Sequence, residues 1–397
     1  MTSQPTSFEQ RKGGSYYALQ AIRIIVGVLF IFSGLIKAND PSGLAYKMQE
    51  FFELWHMDAL SGYAFAFSVS MIVFEIIAGV ALLLGYAFRL FSVLLLLLMI
   101  FFTFLTGYAI WYEAVNQREL KCGCFGDCIP LTAMQSFIKD IILLVLVIIL
   151  VIARKHIRPL FRRPVGTSVM ILSLFCSLFI QWWALEHLPF VDCLPYKVGN
   201  NLWAKMQVPP GAKQDVYKTI LVYEENGTRK EIDQDAYMAD STKWGIKVLD
   251  TKNTLVQKGN ATPAITDFEV LDYDDNDYTE SLLKEPGYNF LFFIKDTEKA
   301  SLRNIEKIRK IAARAYQGQS VGFYVLSANS REHTDAFLRK NGINADAFKI
   351  DGTVCKTAMR SNPGLMLIKA GTVVGKWSYN DYPKDFVLKG DKLELVK

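Results

Sequence analysis

AFAFSVSMIVFEIIAGVALLLGYAFRLFSVLLLLLMIFFTFLTGYAIW, residues 64–111, holds two apolar runs, Ala64–Leu84 and Leu90–Trp111, parted only by Gly85-Tyr86-Ala87-Phe88-Arg89. A hydrocarbon core about 30 Å thick takes about 20 residues of helix. Each run is therefore long enough to cross a bilayer, and the short break makes the pair a tight antiparallel hairpin. Working outward, Ala18–Ile36, Phe137–Ala153 and Gly166–Leu188 meet the same criterion. Five spans are thus expected, all before residue 190 of a 397-residue chain. The opening MTSQPTSFEQRKGGSYY is polar for too long to be an ordinary signal peptide, and no small-residue cleavage site follows the first run, which is read as a retained helix.

Residues 190–397 carry the Lys, Asp and Glu of a soluble protein. The expected organisation is a tail (1–17), a membrane bundle of four spans (18–155), a basic loop with a fifth span (156–189), a connector containing a β-hairpin (190–265) and an α/β domain (266–397). The net charge of +5 belongs to membrane anchoring and gives no ground for nucleic-acid binding. Lipid is the partner that the spans require.

Sidedness follows from the cations. Arg11 and Lys12, Arg89, and the run Arg154, Lys155, Arg158, Arg162 and Arg163 all fall on one face, which the positive-inside rule assigns to the cytoplasm. On the other face Lys37 and Lys47 are offset by Asp40, Glu50, Glu53 and Asp58. The loops 37–63 and 112–136 and everything after 189 are therefore expected outside, in the periplasm of a bacterial inner membrane. In the first of those loops Leu44, Met48, Phe51, Phe52 and Trp55 recur at helical spacing, as in a helix lying on the membrane or packed on the bundle.

Arg23 and Glu75 lie inside apolar runs, where an unpaired charge is costly. Arg23 is about one turn into the first span and Glu75 near the middle of the second, so their depths do not match. Snorkelling for Arg23 and a buried hydrogen bond for Glu75 are the plain readings; a functional site is the other.

Of six cysteines, Cys122, Cys124 and Cys128 sit together in Lys-Cys-Gly-Cys-Phe-Gly-Asp-Cys, residues 121–128, in the second outer loop. Cys193 and Cys355 are also expected outside, and Cys176 lies in a span as a small apolar filler. Thiols gathered in an oxidising space point to disulfide chemistry. Three readings of the cluster stand. A Cys-x-Cys pair can close a small, labile, exchange-competent ring with Cys128 as resolving thiol, the glycines letting the chain turn sharply enough. Alternatively Cys122 or Cys124 forms a structural disulfide with Cys128. A metal site is the weakest, because no fourth Cys or His lies nearby to complete a tetrahedral set.

Beyond the membrane, Lys218–Tyr223 and Lys230–Ile232 flank Glu-Glu-Asn-Gly-Thr and predict a hairpin. Strands at Asn289–Ile294, Val321–Leu326 and Ala347–Ile350 alternate with helices at Glu298–Tyr316 and Arg331–Lys340. Leu365–Lys369 and Thr372–Trp377 close as a hairpin. This is an α/β layered domain. Its order resembles the thioredoxin fold, with Asn362-Pro363 where that fold places its cis-proline. Where thioredoxin-like enzymes carry Cys-x-x-Cys the chain reads Lys295-Asp296-Thr297-Glu298-Lys299-Ala300-Ser301, so no thiolate is present for exchange. Cys355 is the one thiol left there, read either as a buried filler or as part of a partner-binding groove with Asn362 and Pro363 that could pair with an extended chain. Asp272, Asp274, Asp275 and Asp277 cluster in a turn, read as a solvated loop in preference to a calcium site.

The membrane half resembles the DoxX/MauE superfamily of four-helix membrane proteins. The features that carry this are Gly34-Leu-Ile-Lys37 with Asp40-Pro41, then Glu75-Ile-Ile-Ala-Gly79 with Gly85 and Arg89, and above all Cys122-Gly-Cys124-Phe-Gly-Asp127 after the third span. The resemblance covers residues 18–155; the fifth span and outer domain are similar to longer Bacteroidetes-type members. It implies thiol–disulfide exchange with periplasmic protein partners and, through kinship with quinone-linked relatives, a quinone held near Glu75 and Arg23. The vitamin K epoxide reductase family shares such a bundle, but this chain has no Cys-x-x-Cys in a span.

Two functions of different class follow. The first is a membrane thiol–disulfide oxidoreductase acting through Cys122, Cys124 and Cys128. The second is a non-enzymatic envelope scaffold with a static disulfide and a protein-binding thioredoxin-like domain. A transporter is disfavoured, since neither an internal repeat nor a pair of broken helices is visible.

Overall fold

The computed structural model describes residues 14–396 except 117–119, 121–122, 124–125, 214–215, 226–227, 245–246, 258, 260 and 319–320. Among the described residues five helices are long and apolar enough to cross a membrane. They are α1 (Gly14–Asn39), α4 (Ala64–Leu84), α5 (Phe88–Asn116), α6 (Ala133–Ile152) and α7 (Arg163–Glu186); α2 (Pro41–Leu54) and α3 (Asp58–Ser61) lie between the first two. The chain is a multi-pass membrane protein. The expected spans are found, with α1 running three residues past the predicted Ile36 and α5 five past Trp111. Tertiary contacts support the extra turn: Lys37 pairs with Glu75, and Asn39 donates to the Val191 carbonyl.

Local chemistry sets the boundaries. The Asp40 carboxylate accepts the Gly43 N–H at 3.0 Å and Pro41 occupies the first turn, so α2 starts directly after α1. Thr132 and Gln135 form a reciprocal capping box at the start of α6. The bundle packs through small residues and a buried cluster that includes Val26, Phe30, Leu82, Met99, Val147 and Leu150. Helices α1 and α4 approach closely: a Cβ on Gly79 would stand 2.8 Å from the Gly27 carbonyl oxygen. Close backbone approach through glycine is how membrane helices gain dispersion contact without a hydrophobic drive.

Beyond α7, α8 (Leu202–Met206) precedes β1 (Val216–Glu225), β2 (Thr228–Asp233), α9 (Gln234–Ala239) and β3 (Val248–Gln257). These strands form a sheet in the order β2-β1-β3. The predicted hairpin is β1 and β2, and its Asn226-Gly227 turn lies outside the described residues. The third strand was not anticipated: Val248–Gln257 alternates too weakly, with Asp, Lys and Asn through its middle.

The C-terminal module comprises α10 (Thr279–Lys284), β4 (Tyr288–Ile294), α11 (Ile305–Gly318), β5 (Val321–Ser327), α12 (Arg331–Asn341), β6 (Asp346–Lys349), α13 (Gly352–Ala358), β7 (Gly364–Lys369) and β8 (Thr372–Ser378), then β9 (Asp385–Lys389) and β10 (Lys392–Val396) as a separate hairpin. The main sheet runs β6-β5-β4-β7-β8, with β4, β5 and β6 parallel and β7 and β8 antiparallel. A central strand covered on both faces must be apolar throughout, and β4, YNFLFFI, is buried from Asn289 onward. Leu291 and Phe293 join one core with Phe268 and Met366, while Phe290, Phe292 and Ile294 join the other with Ile308 and Leu365. This strand order, with a cis peptide between Asn362 and Pro363, is the thioredoxin-like arrangement. Helix α11 begins at Ile305, seven residues later than predicted, because Asp296 holds the Glu298 and Lys299 amides in a turn. Tyr196, Leu202 and Ile265 are buried in the same cluster as Phe268, so the connector contributes to this module's core.

Candidate functional site

The site is built where one end of the bundle meets the thioredoxin-like module. Leu120 is buried, and its N–H donates to Glu113 Oε1 at 3.2 Å, fixing the chain as it leaves α5. Gly123 has φ +68°, and the Gly126 N–H closes a turn onto the Gly123 carbonyl at 3.0 Å. That left-handed backbone suits glycine. Space demands it too, since a Cβ on Gly123 would lie 2.6 Å from Lys47 Cδ and 3.0 Å from its Nζ. Cys122 and Cys124, the neighbours of Gly123 in the sequence, lie outside the described residues.

Cys128 is joined to Cys193, with Cα atoms 4.8 Å apart. The sequence reading placed Cys128 in a disulfide within its own cluster or in reserve as resolving thiol; the structure pairs it across 65 residues instead. Spacing could not reveal this, because the chain after α7 returns to the bundle only through tertiary contacts. Val191 donates its N–H to Asn39 Oδ1 at 3.0 Å and accepts from Asn39 Nδ2 at 2.8 Å, which brings Cys193 back to the first loop.

Around this crosslink lies a charge cluster. Lys47 Nζ meets Asp127 Oδ1 at 2.9 Å, and Arg360 Nη2 meets Asp127 Oδ2 at 3.0 Å and Asp40 Oδ2 at 2.8 Å. Lys376 Nζ meets Asp192 Oδ2 at 2.5 Å. The Tyr46 ring on α2 lies under Arg360 at 5.6 Å and Lys356 at 5.3 Å, and its hydroxyl accepts from Lys295 at 3.1 Å. None of these cross-module pairs was predicted; an arginine two residues before Asn362-Pro363 was the available signal.

Two cavities meet here. One, of about 570 Å³, lies within the bundle under α2, walled by apolar side chains including Phe30, Phe51, Trp55, Met99, Phe102 and Leu143. The amphipathic helix predicted from Leu44 to Trp55 is thus packed on the bundle and roofs this cavity. Ser33, Lys37, Thr106, Gln135 and Asp140 bring polar atoms to the wall. The other, of about 910 Å³, is an open cleft between α2, the cysteine segment and the module, lined in part by Tyr46, Cys193, Tyr196 and Lys356. Lys47, Gly123 and Leu131 line both.

Glu75 takes the buried hydrogen bonds of its plain reading, with Lys37 as an unforeseen partner. Glu75 is fully buried and accepts from Lys37 at 2.5 Å and Ser33 at 3.1 Å. Lys37, read as a loop cation, is 3% exposed because α1 continues past it. Glu75 is not in the cavity wall, but its two partners are. Arg23 lies fourteen residues before Lys37 on α1, about 21 Å away along a helix axis. It is buried, is not in that wall, and does not join Glu75. Sequence reasoning missed Lys139 and Asp140 inside the fourth span, paired at 2.8 Å, with Asp140 also accepting from Thr106 at 3.2 Å. A Lys-Asp dipeptide in an apolar run was the signal.

In the module, Cys355 is fully buried on α13, and burial pushes its thiol up to about 12, so it stays protonated and inert at neutral pH. The Asn362 carbonyl accepts the Ser301 N–H at 3.0 Å, and its side-chain oxygen takes the Lys295 N–H at 3.0 Å. Those two oxygens are used within the module. Among the described residues no group of three metal-ligating side chains converges. The acidic turn is self-satisfied, with Asp272 accepting from the Asp274 and Asn276 amides.

Comparison with known proteins agrees with this architecture. The family model for methylamine utilisation protein MauE matches residues 15–153. Protein TlpB of Flavobacterium psychrophilum is 30% identical over 166 residues, 41% of this chain and 44% of that protein. The chain therefore covers less than half of that relative's length. The C-terminal domain assigned to a thiol-disulfide oxidoreductase from Bacteroides thetaiotaomicron is similar over 28% of this chain and 81% of its own, at 12% identity and TM-score 0.24. A solution structure assigned to a protein disulfide isomerase of the same organism covers 29% and 76%, at 16% identity and TM-score 0.23. Scores so low carry no weight, and the fold rests on its strand order. The protein joins a MauE-like membrane domain to a thioredoxin-like module.

Proposed function

We propose that this is an inner-membrane thiol–disulfide exchange protein that oxidises thiols of a periplasmic protein through Cys122 and Cys124. The observation that carries the reading is the place of Gly123, the residue between those cysteines, in the walls of both the open cleft and the intramembrane cavity. A partner's thiols reach the pair from the cleft, and the same glycine also borders the apolar chamber. The half-buried Cys128–Cys193 disulfide and the basic residues at the far end of the bundle support a periplasmic setting for this end.

In the oxidising direction a partner thiolate attacks one sulfur of a Cys122–Cys124 disulfide, giving a mixed disulfide and releasing the other as thiolate. The partner's second thiolate then attacks the mixed bond. The partner leaves with a disulfide, and Cys122 and Cys124 hold the two electrons as a dithiol. Lys47, whose Nζ lies at Gly123, favours the released thiolate by its charge. Asp127, bonded to Lys47, fixes the cation in place.

The cavity fits a quinone: an apolar volume of about 570 Å³ with ammonium and amide donors from Lys37 and Gln135 on its wall. A quinone bound there would supply a two-electron acceptor. Lys37, anchored by Glu75, retains donors to offer and keeps its charge compensated. Thr106 orients Asp140, and Lys139 balances it.

The test is trapping. Cys124→Ser, expressed in the full chain, should accumulate a mixed disulfide with a periplasmic protein that disappears in the Cys122→Ser/Cys124→Ser variant. Finding both cysteines fully reduced in cells, with no adduct, would sink the reading. A scaffold role is favoured by one observation, the static crosslink and charge cluster that bind the module to the bundle. Retained function after joint replacement of Cys122, Cys124 and Cys128 would support it.

A further inference from the structure

Each cysteine of the Cys128–Cys193 crosslink directly follows an aspartate, Asp127 and Asp192. Each aspartate gives its carboxylate to a different buried cation of the thioredoxin-like module: Asp127 to Arg360 at 3.0 Å, Asp192 to Lys376 at 2.5 Å. Both cation side chains are only 7% exposed. Arg360 comes from the segment between α13 and β7, and Lys376 from β8, so two separate elements grip the two strands of one crosslink. Arg360 also holds Asp40, the residue that caps α2, and its planar fork suits two carboxylates at once.

Burying a cation is costly unless well-placed carboxylates offset it, so such pairs reward one geometry and penalise others. Burial works against the charge on Arg360, but Asp40 and Asp127 outweigh it and raise its pKa. Burial lowers the pKa of Lys376, with Asp192 pulling the other way. The gripping end is also the end whose 295–301 segment carries no cysteine, and Lys295 from that segment reaches Tyr46 of α2. A surface with no thiol of its own is turned onto the segments that have them.

We infer that the thioredoxin-like module is an intramolecular clamp, with Arg360 and Lys376 as positioning residues that hold the Cys128–Cys193 crosslink through Asp127 and Asp192. Its value for exchange rests on the function proposed above; the grip itself does not.

The test uses the full-length protein in a Cys122→Ser/Cys124→Ser background, so that the measured step is independent of exchange. The probe is tris(hydroxypropyl)phosphine, uncharged so that altered charges leave its approach unchanged. Phosphorus attacks one sulfur, the S–S bond breaks, and water converts the adduct to phosphine oxide and two thiols, the phosphine losing the two electrons gained. The rate is read by alkylating the freed Cys128 and Cys193. Asp127→Asn and Arg360→Gln should each accelerate reduction about tenfold, and the double variant should fall short of the product of the two, since they share the Asp127–Arg360 contact. Asp192→Asn and Lys376→Gln should behave likewise, and Arg360→Lys should fall between. The aspartate variants keep every module residue, so they report even where a cation variant fails to fold. Unchanged rates in both aspartate variants, or additive effects in the doubles, overturn the clamp. If the accelerations appear while Cys124→Ser traps no partner, the clamp stands and the exchange reading falls.

Discussion

Lys37 and Glu75 form a pair in the membrane half that neither residue could sustain alone, at 3% and 0% exposure and 2.5 Å. Removing one partner of a buried pair leaves an uncompensated charge and costs about 3–5 kcal/mol, whereas replacing both with apolar groups is close to neutral. Glu75→Ala should therefore lower the thermal stability of the detergent-solubilised protein sharply, and Lys37→Met/Glu75→Leu should recover most of it. A double variant as unstable as the single would show that Lys37 has another role. The same reasoning separates Glu75 from Arg23: both are charges in apolar runs, but only one finds its counter-ion across the α1–α4 contact.

Helix α1 lies against α4 through Gly27 and Gly79, where backbone replaces side chain at the contact. A Cβ at residue 79 would meet the Gly27 oxygen at 2.8 Å and Ile31 Cγ1 at 2.8 Å, and backbone cannot yield as a flexible side chain can. Overpacking of this kind costs about 1–3 kcal/mol or more. Gly79→Val should lower the unfolding temperature, while Gly62→Val, which meets nothing within 4 Å, should leave it nearly unchanged. Equal effects would refute the close contact. The consequence extends to the cavity, because the α1–α4 contact also sets how Ser33 and Lys37 reach its wall. Helix α2 plays the complementary part: its apolar face, with Phe51 and Phe52, closes the chamber, and its polar face, with Tyr46 and Lys47, meets the module and the cysteine segment.

Across the whole molecule, one end of the bundle collects the crosslink, the charge cluster and the meeting of the two cavities, while Arg89 and the 154–163 cations lie toward the other, where Leu160 bonds back to Leu84. The proposed sidedness predicts that a membrane-impermeant maleimide labels Gly390→Cys, in the exposed β9–β10 turn, in cells with a permeabilised outer but intact inner membrane. Labelling only after the inner membrane is broken would reverse the topology and with it the oxidising setting of Cys122 and Cys124. The module then acts as part of the membrane site, anchored at Asp40, Asp127 and Asp192.

The sequence alone determined five spans, because a hydrocarbon core demands uninterrupted apolar length and hides no polar backbone. It also determined the thioredoxin-like layering, because a strand buried on both faces, such as Phe290–Ile294, has no polar alternative. The cysteine segment was legible too, since three thiols in eight residues are a local pattern. Only the tertiary structure decided which groups pair: Cys128 with Cys193, Glu75 with Lys37, and Asp127 with Arg360 across 233 residues. Such pairs depend on where chains return after long excursions, and no spacing records that. The chamber under α2 belongs to the same class, for a cavity is the space that several helices leave between them and is encoded in no one of them.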